Sequence, residues 1–235
     1  MTVKLGIIGA MEVEADYLKA QMKDASVEHR AGMVFFCGRL GATEAVVVRC
    51  GVGKVNAAVC VQVLVDVFAV THVVNTGVAG SLDASIDIGD VVVSTDALHH
   101  DVDVTNFGYE FGQVPQMDRL SFAADPQLAD AALHAVAEAA PSIRAFTGRV
   151  VSGDRFVCDA AEKRLLVERF GGRCCEMEGA AVAQACYLNG IPFVIVRAIS
   201  DKADGSDEEL YPVFEEKAAR NCARIVERLV QDFPG

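Results

Sequence analysis

Short apolar runs alternate with helix-type segments along most of the chain. The runs are rich in β-branched residues and predict strands at 3–9, 45–50, 72–76, 91–94, 145–151 and 193–196, and a further strand from residue 33 pairs with the second of these. Helical spacing or alanine-rich composition predicts helices at 11–18, 54–67, 125–140, 160–170 and 210–230, and one of small residues ending at 189–190. This alternation predicts an α/β fold with a largely parallel central sheet.

The run from Phe193 to Val196 leads directly into polar residues. Its side chains do not alternate with polar ones, which is typical of a strand buried on both faces. Arg197, Ser200 and Asp201 follow it. In an open α/β sheet, ligands bind at the carboxyl ends of the strands, so we expect a ligand site at this point.

Acidic residues that begin helices lie near the same predicted edge. Glu176 and Glu178 precede the small-residue helix, and Glu14 lies in the first turn of the helix after the first strand. Acids in such positions can also serve only to complement the helix dipole, and both interpretations stay open here. Glycine-containing turns at 77–82 and 152–157 bring two more loops to this edge.

Composition and charge narrow the class of ligand. The 235 residues are of single-domain length and include no apolar run of the roughly 18 residues that span a bilayer, so we expect no membrane association. No secretory signal is evident, and the eight cysteines lack Cys-x-x-Cys spacing, which together favour the cytoplasm. A net charge of −12 argues against nucleic acid as a partner. We therefore expect a small-molecule ligand.

The segment 99–110 raises the question of a metal site. It carries two histidines and two aspartates, His99, His100, Asp101 and Asp103. Ligands this close in sequence rarely all bind one ion, and no further cluster completes the set, so we expect no metal and no other cofactor. The aromatic residues that follow are better explained as an association surface, since aromatic anchors are enriched in interfaces.

The predicted strand ends suggest acid–base chemistry. They collect separate carboxylates without a Ser-His-Asp set, and Cys174 and Cys175 have no evident partner base. In inverting glycoside cleavage, one carboxyl group protonates the leaving group while another activates water. The same scheme serves an N-ribosyl bond to a purine, although the residues alone permit this chemistry without singling it out.

The ordered set of motifs resembles the 5'-methylthioadenosine/S-adenosylhomocysteine nucleosidases of the purine nucleoside phosphorylase superfamily. The motifs run nearly from end to end: GIIGAME at 6–12, GVGKV at 51–55, NTGVAG at 75–80, GDVVVS at 89–94, HDVDVT at 100–105, FGYE at 107–110, SGD at 152–154, EME at 176–178 and RAISD at 197–201. The resemblance implies a single domain over 1–235, with a three-layer α/β/α architecture and a mixed, largely parallel twisted sheet. It also implies hydrolysis of adenine from a 5'-thio-substituted ribose.

By this resemblance, five residues carry the chemistry. Asp201 would donate a proton to the purine N7, with Ser200 orienting it. Glu14 would activate the attacking water with Arg197 nearby, and Glu178 would hold the ribose hydroxyls.

The resemblance also implies the residues that bind the nucleoside. Met177 would pack on the sugar, Phe156 would stack on adenine and the Val157 backbone would read the adenine edge. The purine and 5' regions would be lined by Met11, Val52, Val78 and Tyr211. Family members are homodimers in which an aromatic-bearing loop closes the partner's pocket, and here that loop would supply Phe107 and Pro115.

Other functions remain as alternatives. Phosphorolytic relatives hold phosphate with an Arg and a Ser at the positions of Asn75 and Val78, so water is the expected nucleophile here. Val78 also departs from the Ser usual in many nucleosidases, and Tyr211 replaces a more usual Phe. The remaining alternatives are a purine nucleoside phosphorylase, a hydrolase of 6-amino-6-deoxyfutalosine in menaquinone synthesis, and a nucleoside-binding relative without catalysis.

Overall fold

The computed structural model describes residues 2–204 and 211–233, and for residues 211–213 it describes the backbone alone. The strands are β1 (Lys4–Gly9), β2 (Lys23–Arg30), β3 (Met33–Leu40), β4 (Thr43–Arg49), β5 (His72–Ser81), β6 (Val91–His99), β7 (Phe122–Ala123), β8 (Ala145–Ser152), β9 (Cys174–Glu176) and β10 (Phe193–Asp201). The helices are α1 (Glu12–Gln21), α2 (Lys54–Asp66), α3 (Pro126–Ala139), α4 (Ala160–Phe170), α5 (Gly179–Asn189) and α6 (Tyr211–Asp232).

The strands form one mixed sheet that closes partly on itself. Its order is β10-β6-β8-β9-β5-β1-β4-β3-β2, with β7 on β6, and β10 also pairs with β5. The first five strands of this order therefore form a ring. β5 pairs with different strands along its length. Its first half pairs with β1, and its last residues, Gly80 and Ser81, pair with β9. The carboxyl ends of β5, β8 and β10 consequently meet around one opening.

Helices cover both faces of the sheet. On β1, Leu5 and Ile7 pack into an apolar cluster with α1, α3 and α6, whereas Ile8 packs into a second cluster with α2 and α5. These strand residues are fully buried, and each such side chain contributes roughly 1.5–3 kcal/mol of transfer free energy. The predicted three-layer α/β/α fold with a mixed sheet is confirmed.

Two strands are longer than their apolar runs indicate. The predicted strand at 72–76 continues through the glycine-containing segment to Ser81, and the strand at 193–196 continues to Asp201. The turn expected after Thr76 is therefore absent. Arg197, Ser200 and Asp201 lie on a strand itself, where pairing with the backbone of β5 fixes their positions.

None of the described helices combines the length and the apolar character needed to cross a bilayer. The α5 helix is short and consists mainly of small residues. Seven of its residues are buried, and it ends at Gly190, whose positive φ of 66° is a left-handed conformation favoured by glycine. This close packing brings the start of α5 to the opening of the sheet.

Candidate active site

A cleft lies where the strand ends meet, as expected for the ligand site of an α/β sheet. Ten residues predicted from the sequence line it: Met11, Glu14, Val52, Val78, Phe156, Val157, Met177, Glu178, Ser200 and Asp201. They come from six separate parts of the chain. Arg197 lies directly behind the lining, against Glu176 and Glu178.

The Glu14 carboxylate is buried and accepts three backbone hydrogen bonds. Its Oε2 accepts from the N–H groups of Ala10 at 2.6 Å and Met11 at 2.9 Å, and its Oε1 accepts from Val78 N–H at 3.0 Å. Burial raises the pKa of Glu14, against the lowering effects of the Arg197 charge and these hydrogen bonds. Glu14 thus caps α1, as the dipole interpretation expects, and also lines the cleft.

The fully buried Arg197 joins the acidic residues into one network. Its Nη2 donates to Asn75 Oδ1 at 2.6 Å and to the Glu176 carboxylate, and its Nη1 donates to the Thr76 carbonyl at 3.2 Å. Its Nε is buried without a partner among the described residues. The surrounding carboxylates raise the pKa of Arg197 despite its burial, so the guanidinium stays charged.

Glu176 and Glu178 have different roles at the start of α5. Glu176 accepts hydrogen bonds from the Glu178 and Gly179 N–H groups and from the Ser152 hydroxyl, so it fills the helix N-terminus. Glu178 makes no side-chain cap; its Oε1 accepts from Gly53 N–H at 2.8 Å. Burial and the neighbouring charge of Glu176 raise the pKa of Glu178 to about 7. Dipole complementation is thus the task of Glu176, and Glu178 faces the cleft.

Asp201 lies at the far end of β10 beside the β5 backbone. Its Oδ2 accepts from the Ser200 hydroxyl at 2.9 Å, and its Oδ1 accepts from Ala203 N–H at 2.8 Å. A Cβ atom added at Gly80 would lie 2.7 Å from Oδ1, so only glycine leaves room for this carboxylate.

Both candidate catalytic acids, Glu14 and Asp201, contact β5. Glu14 bonds to β5 at Val78 and Asp201 lies against it at Gly80, while a Cβ at Gly77 would collide with both Glu14 and Arg197. Strand residues rise ~3.3 Å each, so the two β5 residues that contact these carboxylates, Val78 and Gly80, lie about 7 Å apart along the strand. Glu14 and Asp201 thus reach the cleft from separate positions on β5, and two separate carboxyl groups are what acid-assisted cleavage with an activated water requires.

Three predicted site residues lie elsewhere or outside the described part. The Tyr211 side chain is not among the described side chains. Phe107 and Pro115 do not line the cleft; both are on an exposed stretch between β6 and β7, and Phe107 is 77% exposed. Their assignment to a neighbouring subunit stays a prediction.

Several cleft residues were absent from the predicted set. Arg155, Cys175 and Glu176 line the cleft, and Ser152 positions the Glu176 carboxylate. The repeated acid at 176 and 178 was visible in the sequence, but nothing in their spacing indicated which would cap the helix. Arg155 lies beside Phe156 with its guanidinium 3.2 Å from Glu162, a proximity that only the fold creates.

The two adjacent histidines lie in different surroundings. His99 Nε2 is 2.8 Å from Gln184 Oε1, whereas His100 packs against Gly153. Burial lowers the pKa of both imidazoles. Within residues 2–204 and 211–233, no group of three or more His, Cys, Asp or Glu side chains is arranged to hold a metal ion.

Known proteins resemble this chain over nearly its whole length. The sequence model of the phosphorylase superfamily matches residues 4–231. A 5'-methylthioadenosine/S-adenosylhomocysteine nucleosidase of Shewanella frigidimarina is 41% identical, over 98% of this chain and 100% of its own length. The Halalkalibacterium halodurans nucleosidase of the same name is 42% identical, over 97% of both chains.

Solved structures give the same result. The Neisseria meningitidis nucleosidase in complex with methylthio-immucillin-A has a TM-score of 0.93 at 39% identity, covering 97% of this chain and 98% of that one. The Colwellia psychrerythraea nucleosidase in complex with adenine has a TM-score of 0.94 at 39% identity, covering 99% and 96%. Fold and site thus define a member of the phosphorylase superfamily, and within it the chain belongs to the 5'-methylthioadenosine/S-adenosylhomocysteine nucleosidase family.

Proposed function

We propose that the protein hydrolyses the N-glycosidic bond of 5'-methylthioadenosine and S-adenosylhomocysteine, releasing adenine and the 5'-thio-substituted ribose. The observation that carries the proposal is the placement of Glu14 and Asp201 at two points along β5 in one cleft. The proposal treats 1–235 as one catalytic domain, which the family match over 4–231 supports.

Asp201 is the proton donor to the leaving adenine. Cleavage of the ribosyl bond moves electrons onto the purine, and protonation at N7 neutralises that charge as the ribose becomes cationic. The Ser200 hydroxyl donates to Asp201 Oδ2, and Ala203 N–H holds Oδ1. These two bonds fix the direction of the carboxyl group and leave it facing the cleft.

Glu14 activates the water. Its raised pKa makes the carboxylate a stronger base, while the three backbone N–H groups keep it oriented. Arg197 lies close enough to lower the Glu14 pKa electrostatically, and it balances the negative charge of the surrounding acids. Water serves as nucleophile rather than phosphate, because Asn75 is already bonded to Arg197 and to the Ile8 carbonyl, and Val78 offers no side-chain donor.

The remaining lining binds the nucleoside. Glu178 accepts the ribose hydroxyls and Met177 packs against the sugar. Phe156 stacks on adenine, and the backbone of the adjoining Val157 reads the edge of the base. Met11, Val52, Val78 and Tyr211 complete the purine and 5' regions.

The protein acts as a homodimer in the cytoplasm, where it serves methionine salvage. A shallow apolar groove between α2 and α5 supports the second copy as its occupant, lined by Val55, Ala58, Val102, Val114, Ala185 and Leu188. Val55 is 74% exposed and Leu188 67% exposed. Phe107 follows Val102 on the same stretch, so a partner seated in this groove would receive Phe107 and Pro115 near its own cleft.

Release of adenine tests the proposal. The purified protein is incubated with methylthioadenosine, adenosylhomocysteine, deoxyadenosine and 6-amino-6-deoxyfutalosine, with and without phosphate. We expect adenine from the first two substrates at rates independent of phosphate. Strict dependence on phosphate would establish a phosphorylase instead, and turnover of the futalosine analogue alone would overturn the substrate assignment.

A further inference from the structure

Lys54, Asp101 and Asp154 form a cluster of polar groups beside the cleft, here called the Asp101 cluster. Lys54 Nζ lies 2.6 Å from Asp101 Oδ1 and 2.8 Å from Oδ2, so the ion pair is bidentate. Asp154 N–H donates to Asp101 Oδ2 at 3.0 Å, and Lys54 N–H donates to Asp154 Oδ1 at 2.8 Å. Each of the three residues thus contacts the other two.

The cluster ties together three segments that are distant in sequence. Lys54 is the first residue of α2, Asp101 follows β6, and Asp154 lies in the connection from β8 to α4. The cluster residues do not line the cleft, but their neighbours do. Asp154 leads directly into Arg155, Phe156 and Val157 of the cleft wall.

The ion pair is sheltered enough to restrain these segments. Its side chains are only 21% and 28% exposed. Burial acts to raise the pKa of Asp101, but the hydrogen bonds from Lys54 and Asp154 N–H and the Lys54 charge outweigh it and leave the pKa lowered. The charged form of Asp101 is therefore stabilised in the folded protein. Phe156 is 48% exposed.

We propose that Lys54 and Asp101 are positioning residues that hold the connection 153–157 in the shape that binds the adenine base. The inference rests on the proposed placement of adenine against Phe156 and Val157. An adenine contact exists equally in the bound substrate and in the transition state. Loss of this contact therefore raises KM and lowers the affinity for free adenine, while kcat is conserved.

The test uses three variants and a matched control. Asp101→Asn and Lys54→Met each remove the ion pair, and the double variant closes a mutant cycle. Because Lys54 also lines the α2–α5 groove, sedimentation checks that each variant keeps the association state of the parent. Asp96→Asn is the control, because it breaks the Arg149–Asp96 pair, which is also multidentate and partly buried but lies away from the cleft. Adenine affinity is measured by calorimetry, which needs no turnover and so separates failure of this inference from failure of the proposed function.

We expect each single variant to lower the affinity for adenine and raise the nucleoside KM about tenfold, with kcat within about threefold of the parent. The double variant should be no worse than either single one, because both remove the same restraint. The Asp96→Asn control should lower Tm comparably and leave adenine affinity unchanged. Unchanged adenine affinity in Asp101→Asn, losses that add in the double variant, or an equal loss in the control would each overturn the inference.

Discussion

Two buried carboxylates in the cleft hold their protons more tightly than free glutamate. Burial raises the pKa of both, and for Glu178 the charge of Glu176 adds to it. The two differ in their bonds, since Glu14 accepts three backbone N–H groups and Glu178 accepts one. An acid with few donors in a buried site keeps free lone pairs for ligand hydroxyls, which suits the ribose-binding role proposed for Glu178.

Removing the Glu178 charge should stabilise the fold at alkaline pH. A carboxyl whose folded pKa is raised from 4.5 to about 7 contributes its full stability below pH 4.5 and loses it as the pH rises through 7. Glu178→Gln avoids this loss, and Arg197 remains paired with Glu176. Between pH 5 and pH 8, the free energy of unfolding of the variant should rise relative to that of the parent by up to about 3 kcal/mol. Denaturant unfolding at both pH values measures this, and parallel behaviour of the two proteins would refute the assignment.

Substitution of the two candidate catalytic acids should separate binding from chemistry. Asp201→Asn and Glu14→Gln keep the size of each side chain but remove the acid or base, so each should lower kcat at least about 100-fold while leaving nucleoside affinity within a few-fold. Single-turnover rates and binding of an unreactive analogue measure the two effects. Near-normal turnover in either variant would remove that residue from its role.

At the scale of elements, apolar runs predicted the long strands whose two faces are covered, but not the three-residue β9, which is buried as well. They did not predict β2, because every residue of Lys23–Arg30 is exposed or only half-buried and its sequence has no apolar pattern. They also ended β5 and β10 too early. The last residues of these strands interrupt the apolar pattern with glycine and polar side chains, several of which line the cleft. The sequence could place the site at the strand ends, but only the fold assigns helix capping to Glu176.

The strand backbone at Gly77 should be as important to catalysis as the side chains around it. A methyl group there would collide with the Glu14 carboxylate and with Arg197 Nη1. Gly77→Ala should therefore lower kcat about 100-fold or more by displacing the two groups. Gly172→Ala is the control, since its Cβ would press on the Leu82 and Val151 side chains instead. Steady-state kinetics and Tm of both variants decide the matter: equal kcat losses would show that overpacking alone is responsible.

At the scale of the whole molecule, the ring of strands explains why one cleft collects residues from positions 10 to 201. β5 pairs with β1, β9 and β10, so residues near the ends of all four strands come within reach of one ligand. In the proposed homodimer, a second copy would supply Phe107 and Pro115 to the 5' region, so activity would depend on association.

Charge placed in the α2–α5 groove should separate the subunits and weaken the site. Val55→Asp and Leu188→Asp put a carboxylate on the most exposed apolar positions of that groove. We expect the parent to sediment at twice the 25.0 kDa chain mass and the variants at the chain mass. Because Phe107 and Pro115 would then be lost from the neighbouring cleft, KM for methylthioadenosine should rise about tenfold or more. Leu165→Asp on α4, 47% exposed and outside the groove, is the matched control and should remain dimeric and active. A parent that is monomeric and fully active, or groove variants that stay dimeric, would place the association surface elsewhere.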